Sequence, residues 1–184
     1  MKQDRIKWNE KFRNEDYPEE PAGPVKRFYH LASGKKALDI AAGKGRNTVF
    51  LSRMGFSVDA VDISDVGLAG FAGRDPKINA ICADLDNFDI PPGRYDLILN
   101  IKFLNRRLFP SIQEGLKPGG ILIFHTLMVS DRVRKTQEHN REYLLRKNEL
   151  LHAFLGMRVV YYEENSGTGA RHSDETATLV GIRE

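Results

Sequence analysis

The chain has 184 residues, a net charge of +3 and 41% hydrophobic residues, which suits one globular domain with a substantial core. That charge is too small to argue for nucleic acid, and no block of lysine and arginine reinforces it. No run approaches the roughly 18 apolar residues of a membrane span, and Cys82, the only cysteine, excludes an internal disulfide and a cysteine-built zinc site. The start, MKQDRIKWNEKFRNEDY, carries no apolar core of a secretory signal, so the expected setting is cytoplasmic and reduced, with no metal.

In chain order, residues about 4 to 13 read as a short helix. Tyr17–Pro24 is a proline-rich linker, and residues 24 to 33 return to helix. Lys35–Ala41 (KKALDIA) is a strand ended by glycine. Arg46–Met54 is a helix with Val49, Phe50 and Met54 near one face, and Gly55 stops it. Phe56–Ile63 is a second strand. Ser64 can cap the next helix, which Gly67, Gly70 and Gly73 weaken. Lys77–Ala83 is a third strand and Arg94–Ile101 a fourth. Leu104–Leu116 is a helix with Pro110 at a boundary or kink. Ile121–Leu127 (ILIFHTL) is apolar throughout, as a strand covered on both faces must be. Two further strand-like runs, MRVVYYEE and ETATLVGIRE, are joined by NSGTGARHSD, too short for a crossover, so they form an antiparallel hairpin. The expected fold class is therefore α/β: a Rossmann-like, doubly wound, mostly parallel sheet of seven strands, an antiparallel strand at its end, and helices on both faces.

Chemistry concentrates at Leu38–Asn47 (LDIAAGKGRN). A glycine turn between a strand and a helix brings backbone N–H groups close to a ligand. The dinucleotide fingerprint needs a third glycine where Thr48 stands, and a phosphate-binding P-loop needs Lys-Ser/Thr where Arg46-Asn47 stand. Asp39, Asp62 and Asp84 follow three successive strands, where open α/β sheets bind ligands. Asp39 can meet a cationic or amino group, Asp62 can accept from a ribose diol, and Asp84 from an exocyclic amine. Three carboxylates serve a pyrophosphate poorly. They suit a ribose and adenine that carry a sulfonium and an amino acid.

ALDIAAGKGRN, VDAVDIS, CADLDNF, YDLILN and LKPGGILIF, in that order over residues 35 to 127, resemble the class I S-adenosylmethionine-dependent methyltransferases. WNEKFRNEDYPEEP and GRNTVFLSRMGFSVDAVDIS resemble, more narrowly, the small tellurite-resistance and thiopurine-type methyltransferases, whose tryptophan-bearing N-terminal segment folds over the cofactor. The resemblance implies an S-adenosylmethionine site of Asp39, Ala41, Gly43, Gly45, Asn47, Asp62, Ile63, Ala83, Asp84, Leu85 and Asn100. It implies one methyltransferase domain over residues 1–184, with an N-terminal extension or lid (1–33), a cofactor-binding core (34–127) and a substrate-side segment with a terminal hairpin (128–184). Ala41 departs from the glycine common in that family, and alanine disfavours positive φ and could alter the turn.

The implied reaction is in-line transfer of a methyl group to a small molecule: a thiol or chalcogen, a small acid or an amine. The polar stretch Met128–Leu145 suits a substrate lid. The loop between the last two strands should return to the crevice with Arg171 and His172 as anion clamp and general base, as an Arg/His pair does in related enzymes. His125 reads as a strand-end histidine satisfied by backbone, Trp8 as a packing or ligand-side residue, Cys82 as a buried small hydrophobe, and the Arg132/Arg134/Lys135 cluster as a solvated face. The alternatives are a catalytically inactive sensor of the same cofactor, with Ala41 as its hint; an RNA methyltransferase, which the modest charge opposes; and a nicotinamide oxidoreductase, which Thr48 and the extra acids oppose. Nothing in the sequence fixes an oligomeric state.

Overall fold

Five apolar runs, each bounded by glycine, proline or polar turns, line up in parallel in the computed structural model, which describes residues 2–129, 143–165 and 175–184. They are β1 (Lys36–Ile40), β2 (Ser57–Asp62), β3 (Ile78–Cys82), β4 (Tyr95–Ile101) and β5 (Leu116–Leu127). With β6 (Met157–Asn165) and β7 (Thr176–Arg183) they form one sheet in the order β3-β2-β1-β4-β5-β7-β6. The order reverses between β1 and β4, and at such a switch point the carboxyl ends of the strands open a crevice.

Only β7 runs against its neighbours, and it lies inside the sheet, between β5 and β6. The antiparallel hairpin expected at the sheet's end is there, with β7 as its inner strand and β6 at the edge. The two runs differ in how much they can bury. β7 (TATLVGIR) has a buried centre, whereas β6 (MRVVYYEEN) is mostly exposed or half-buried, so the more apolar run takes the interior position.

On one face lie α2 (Gly23–Phe28), a 3-10 turn (Tyr29–Leu31), α3 (Arg46–Arg53) and α4 (Asp65–Ala69); on the other lie α5 (Leu108–Gly115) and α6 (Glu149–Ala153). The first face buries Ala37, Val58, Leu97, Leu99 and Ile123 with Val25 and Leu51. The second buries Leu38, Ile98, Leu122 and Phe124 with Ile112 and Phe154. Before them, α1 spans Lys2–Asn14. The helix expected over 24 to 33 tightens into the 3-10 turn after Phe28, and that expected from Leu104 starts at Leu108. Pro110 then falls in the first turn of α5, where a missing N–H removes no helical bond.

Three expectations about burial are corrected. The inward face of α3 is Asn47, Thr48, Leu51 and Ser52, while Met54 is exposed. These polar side chains tolerate burial because each has a partner: Ala22 N–H, Asp39 and Asp75 respectively. Cys82 is exposed, its Sγ 3.6 Å from the Ile63 carbonyl. The His125 ring is met by a side chain, Thr178, instead of by backbone.

Candidate functional site

β1 runs into a turn with three left-handed residues, Ala41 (φ 55°), Gly43 (φ 58°) and Gly45 (φ 78°). Ala41 thus takes a left-handed conformation that costs an alanine about 1–2 kcal/mol. Gly45 precedes α3 and offers no side chain to cap it. Asp39 does that work from the neighbouring strand. Its Oδ2 accepts from Thr48 Oγ1 at 2.7 Å, and the Thr48 N–H also bonds to it. The sequence reading left Asp39 open to a ligand at the strand end; it is instead 1% exposed and braces the helix that follows the loop. Burial lifts its pKa to about 7, with the Asp62 charge in the same direction, and Thr48 and Arg46 against it.

Asp62 is the last residue of β2. Its Oδ2 accepts from Gly43 N–H and its Oδ1 from Ser64 N–H, both at 2.8 Å. It is 6% exposed, and burial raises its pKa against these bonds. Ser64 caps α4 as expected, its Oγ accepting from Gly67 N–H at 3.0 Å. Ala83 N–H donates to the Asp62 carbonyl at 3.0 Å, which sets Ala83, Asp84 and Leu85 directly beside Asp62 and Ile63. Asp84 Oδ1 accepts from Asp86 N–H at 3.0 Å, the foremost reason its pKa lies below the usual carboxylate range. Arg107 fixes this stretch by donating to the carbonyls of Leu85 (2.7 Å) and Phe88 (3.1 Å). Asn100, level with Ile40 at the switch point, is buried and donates from Nδ2 to the Phe103 carbonyl at 2.6 Å. The loop, Asp62 and Asp84 thus share one rim, with Asp39 buried behind it.

The N-terminal segment is tied to this rim by contacts the sequence did not reveal. Phe12 is 7% exposed and packs so closely on the loop that a Cβ at Gly43 would sit 3.2 Å from its ring. Its ring meets Trp8 at 5.6 Å and Tyr17 at 4.9 Å between centroids. Ser64 Oγ donates to Asn9 Oδ1 at 2.6 Å, and Asp65 accepts from Arg5 and Asn9. Lys44 donates to the Glu15 carbonyl and Arg46 to the Glu20 carbonyl, and Ala22 N–H donates to Asn47 Oδ1 at 2.9 Å. Asn47, expected at the cofactor, thus holds the strap to α3. The aromatic pair Trp8 and Phe12, four residues apart on one helical face, was the available signal. Polar residues such as Asn9 and Arg107 gave none.

Arg171, His172, Arg132, Arg134 and Lys135 lie outside the described residues, as does most of the expected lid. The anchors of the Arg171/His172 loop are described. Asn165 pairs with Thr176, and Thr176 with Leu127, the last residue of β5. Both anchors stand at the carboxyl edge of the parallel strands.

The family described as tellurite resistance protein TehB matches residues 7–183. A protein of Haemophilus influenzae strain 10810 named "Probable S-adenosyl-L-methionine-dependent methyltransferase TehB" is 29% identical over 172 residues, covering 88% of this chain. The chain spans 59% of that relative's length. Among solved structures, TehB from Haemophilus influenzae superposes with a TM-score of 0.76 at 22% identity, covering 98% of this chain and 67% of that one. An S-adenosylmethionine-dependent methyltransferase from Mesorhizobium loti gives 0.70 at 21% identity, covering 86% and 95%. At these identities the structural likenesses establish the fold.

Proposed function

This chain belongs to the TehB family of tellurite resistance proteins, and from that membership we propose that it transfers a methyl group from S-adenosylmethionine to a small-molecule acceptor. The observation that carries this reading is the shared rim of Asp62 and Asp84 around a turn of left-handed residues, with Asp39 buried behind it. Carboxylates suit hydroxyls, an amine and a positive sulfur, and oppose a pyrophosphate. Bound there, the cofactor would supply a methyl group already activated on a sulfonium.

The chain's own residues then have to bind, align and exclude water. Asp62 would take the ribose diol, a role supported by the way Gly43 and Ser64 fix its carboxylate. Asp84, with Ile63, Ala83 and Leu85, flanks the adenine side. The turn from Ala41 to Gly45, with Asn100 across the switch point, faces the amino-acid end. Asp39 acts through α3, whose first turn it holds by its bonds to Thr48. The strap of α1 covers the loop and keeps water out, and alignment of two held reactants supplies ~7–11 kcal/mol in favourable cases. Arg171 and His172 remain our choice for the acceptor side, supported by the position of Asn165 and Thr176.

No described helix is long and apolar enough to cross a membrane, and the reading places the reaction in the cytoplasm on a small acceptor. Thermal shift with S-adenosylmethionine, S-adenosylhomocysteine and NADH tests it. Stabilisation by the first two is expected; stabilisation by NADH alone would refute it. A labelled-methyl screen over thiols, selenite, tellurite, amines and carboxylic acids identifies the acceptor.

A further inference from the structure

Beyond the rim of acids, one turn is bonded to both sides of the crevice. It is the stretch 102–107 that follows β4. Its start is fixed by Asn100 Nδ2, which donates to the Phe103 carbonyl, and by Lys102 N–H, which donates to the His125 carbonyl at 2.7 Å. Its end closes on itself: Arg107 N–H donates to Asn105 Oδ1 and Leu108 N–H to the Asn105 carbonyl, both at 3.1 Å. The turn is therefore a stiff unit at the switch point. Three consecutive side chains leave it for two different segments. Asn105 Nδ2 donates to Asp86 Oδ1 at 2.9 Å, and Arg107 holds the Leu85 and Phe88 carbonyls, all in the segment after β3 that carries Asp84. Arg106 serves the substrate side. Its Nε and Nη2 donate to the two carboxylate oxygens of Glu149 at 2.5 and 3.0 Å, and Nη2 also donates to the Leu144 carbonyl at 2.9 Å. A planar guanidinium on a bidentate carboxylate fixes direction as well as distance. Residues 144–149 are the described foot of the substrate-side segment. Leu145 N–H donates to the Leu127 carbonyl at 3.0 Å, and the Leu145 carbonyl accepts from Val129 N–H at 2.8 Å, at the carboxyl end of β5.

We propose that Arg106 and Arg107 are positioning residues that couple the two sides: adenine seated against residues 83–88 orders residues 144–149 through this turn, so that bound cofactor prepares the acceptor side. This role rests on the methyl-transfer reading. The physical route is a shared frame. An adenine packed on 83–88 restricts the Leu85 and Phe88 carbonyls, and with them the Arg107 side chain. Arg107 and Arg106 are neighbours in one stiff turn, so Arg106 loses the same freedom, and Glu149 and Leu144 lose it in turn. A segment already ordered costs the second ligand less to bind. The acceptor therefore gains affinity from bound cofactor, and by linkage the cofactor gains the same factor from bound acceptor.

The test needs no acceptor. Amide hydrogen exchange of the full chain is followed by mass spectrometry with and without saturating S-adenosylhomocysteine. In the wild type the ligand should slow exchange at 83–88 and, by about fivefold or more, at 144–149. Arg106→Gln should keep the response at 83–88 and lose it at 144–149. Arg106→Lys, which keeps a charge toward Glu149, should restore part of it. Arg107→Met, saturated with the ligand, should lose the response at 144–149 as well. If Arg106 only held the foot in place, its loss would raise exchange there equally with and without ligand, and the ligand-dependent difference would survive; that result overturns the inference. So does a wild type that protects 83–88 and leaves 144–149 unchanged, with the methyl-transfer reading still standing. A wild-type chain that binds neither S-adenosylmethionine nor S-adenosylhomocysteine overturns the methyl-transfer reading itself, and this inference with it.

Discussion

Gly45→Ala separates two costs that the glycine loop carries. Gly45 sits at φ 78°, and a Cβ there would lie 2.2 Å from Cδ1 of Phe71, a ring that is 2% exposed. The left-handed backbone costs an alanine about 1–2 kcal/mol, offset by about 0.4–1 kcal/mol because alanine restricts the unfolded chain. The clash adds about 1–3 kcal/mol, since a buried ring cannot swing away. Together these give about 2–4 kcal/mol, a fall in Tm of roughly 5–15 °C for a domain of this size. Gly73→Ala is the control. Gly73 has φ 72° with open space around its would-be Cβ, so only the backbone cost remains, about 0.5–1 kcal/mol. Urea and thermal unfolding of both variants measure the difference. Equal losses would mean that Phe71 does not press on the loop, and the packing of α4 against it would have to be redrawn.

Asp62→Ala should abolish stabilisation by S-adenosylmethionine and lower Tm, since Gly43 and Ser64 lose their acceptor; unchanged affinity would place the ribose elsewhere. Asp39 has a folded pKa raised to about 7. Its contribution is thus fully present below its unfolded pKa and is lost as pH rises through 7. Asp39→Asn should gain stability relative to the wild type between about pH 5 and about pH 8 in urea melts; a constant difference across that range would refute the assignment. Phe12→Ala should loosen the strap more than the core. Tryptic cleavage before residue 22 and S-adenosylmethionine release should both accelerate while the sheet's Tm moves little, and unchanged release would show that the strap does not close the site.

Much of the fold was legible because its causes are local. Apolar runs with glycine and proline turns marked β1 to β5, and Ser64 was recognisable as a cap from type and place alone. The order of Gly43, Gly45, Asp62 and Asp84 along the chain was enough to propose a ligand chemistry, because they lie at or just past the ends of β1, β2 and β3. The inward face of α3 was misread because hydropathy scores Thr48 and Ser52 as outward; only their partners, Asp39 and Asp75, make them interior. Cys82 was misread for the converse reason, an apolar type at the open end of the edge strand β3.

By itself, then, the sequence determined the strands, the turns and the acids that rim the crevice, since period, propensity and turn chemistry act over a few residues. The tertiary structure alone decided that β7 enters between β5 and β6, that Asp39 braces α3, that Asn9, Phe12 and Asn47 bind the strap, and that Thr178 meets His125. Those outcomes depend on partners far apart in the chain, 53 residues in the case of His125 and Thr178. Such partners meet only when burial of the whole sheet brings them together, and no local pattern encodes that meeting.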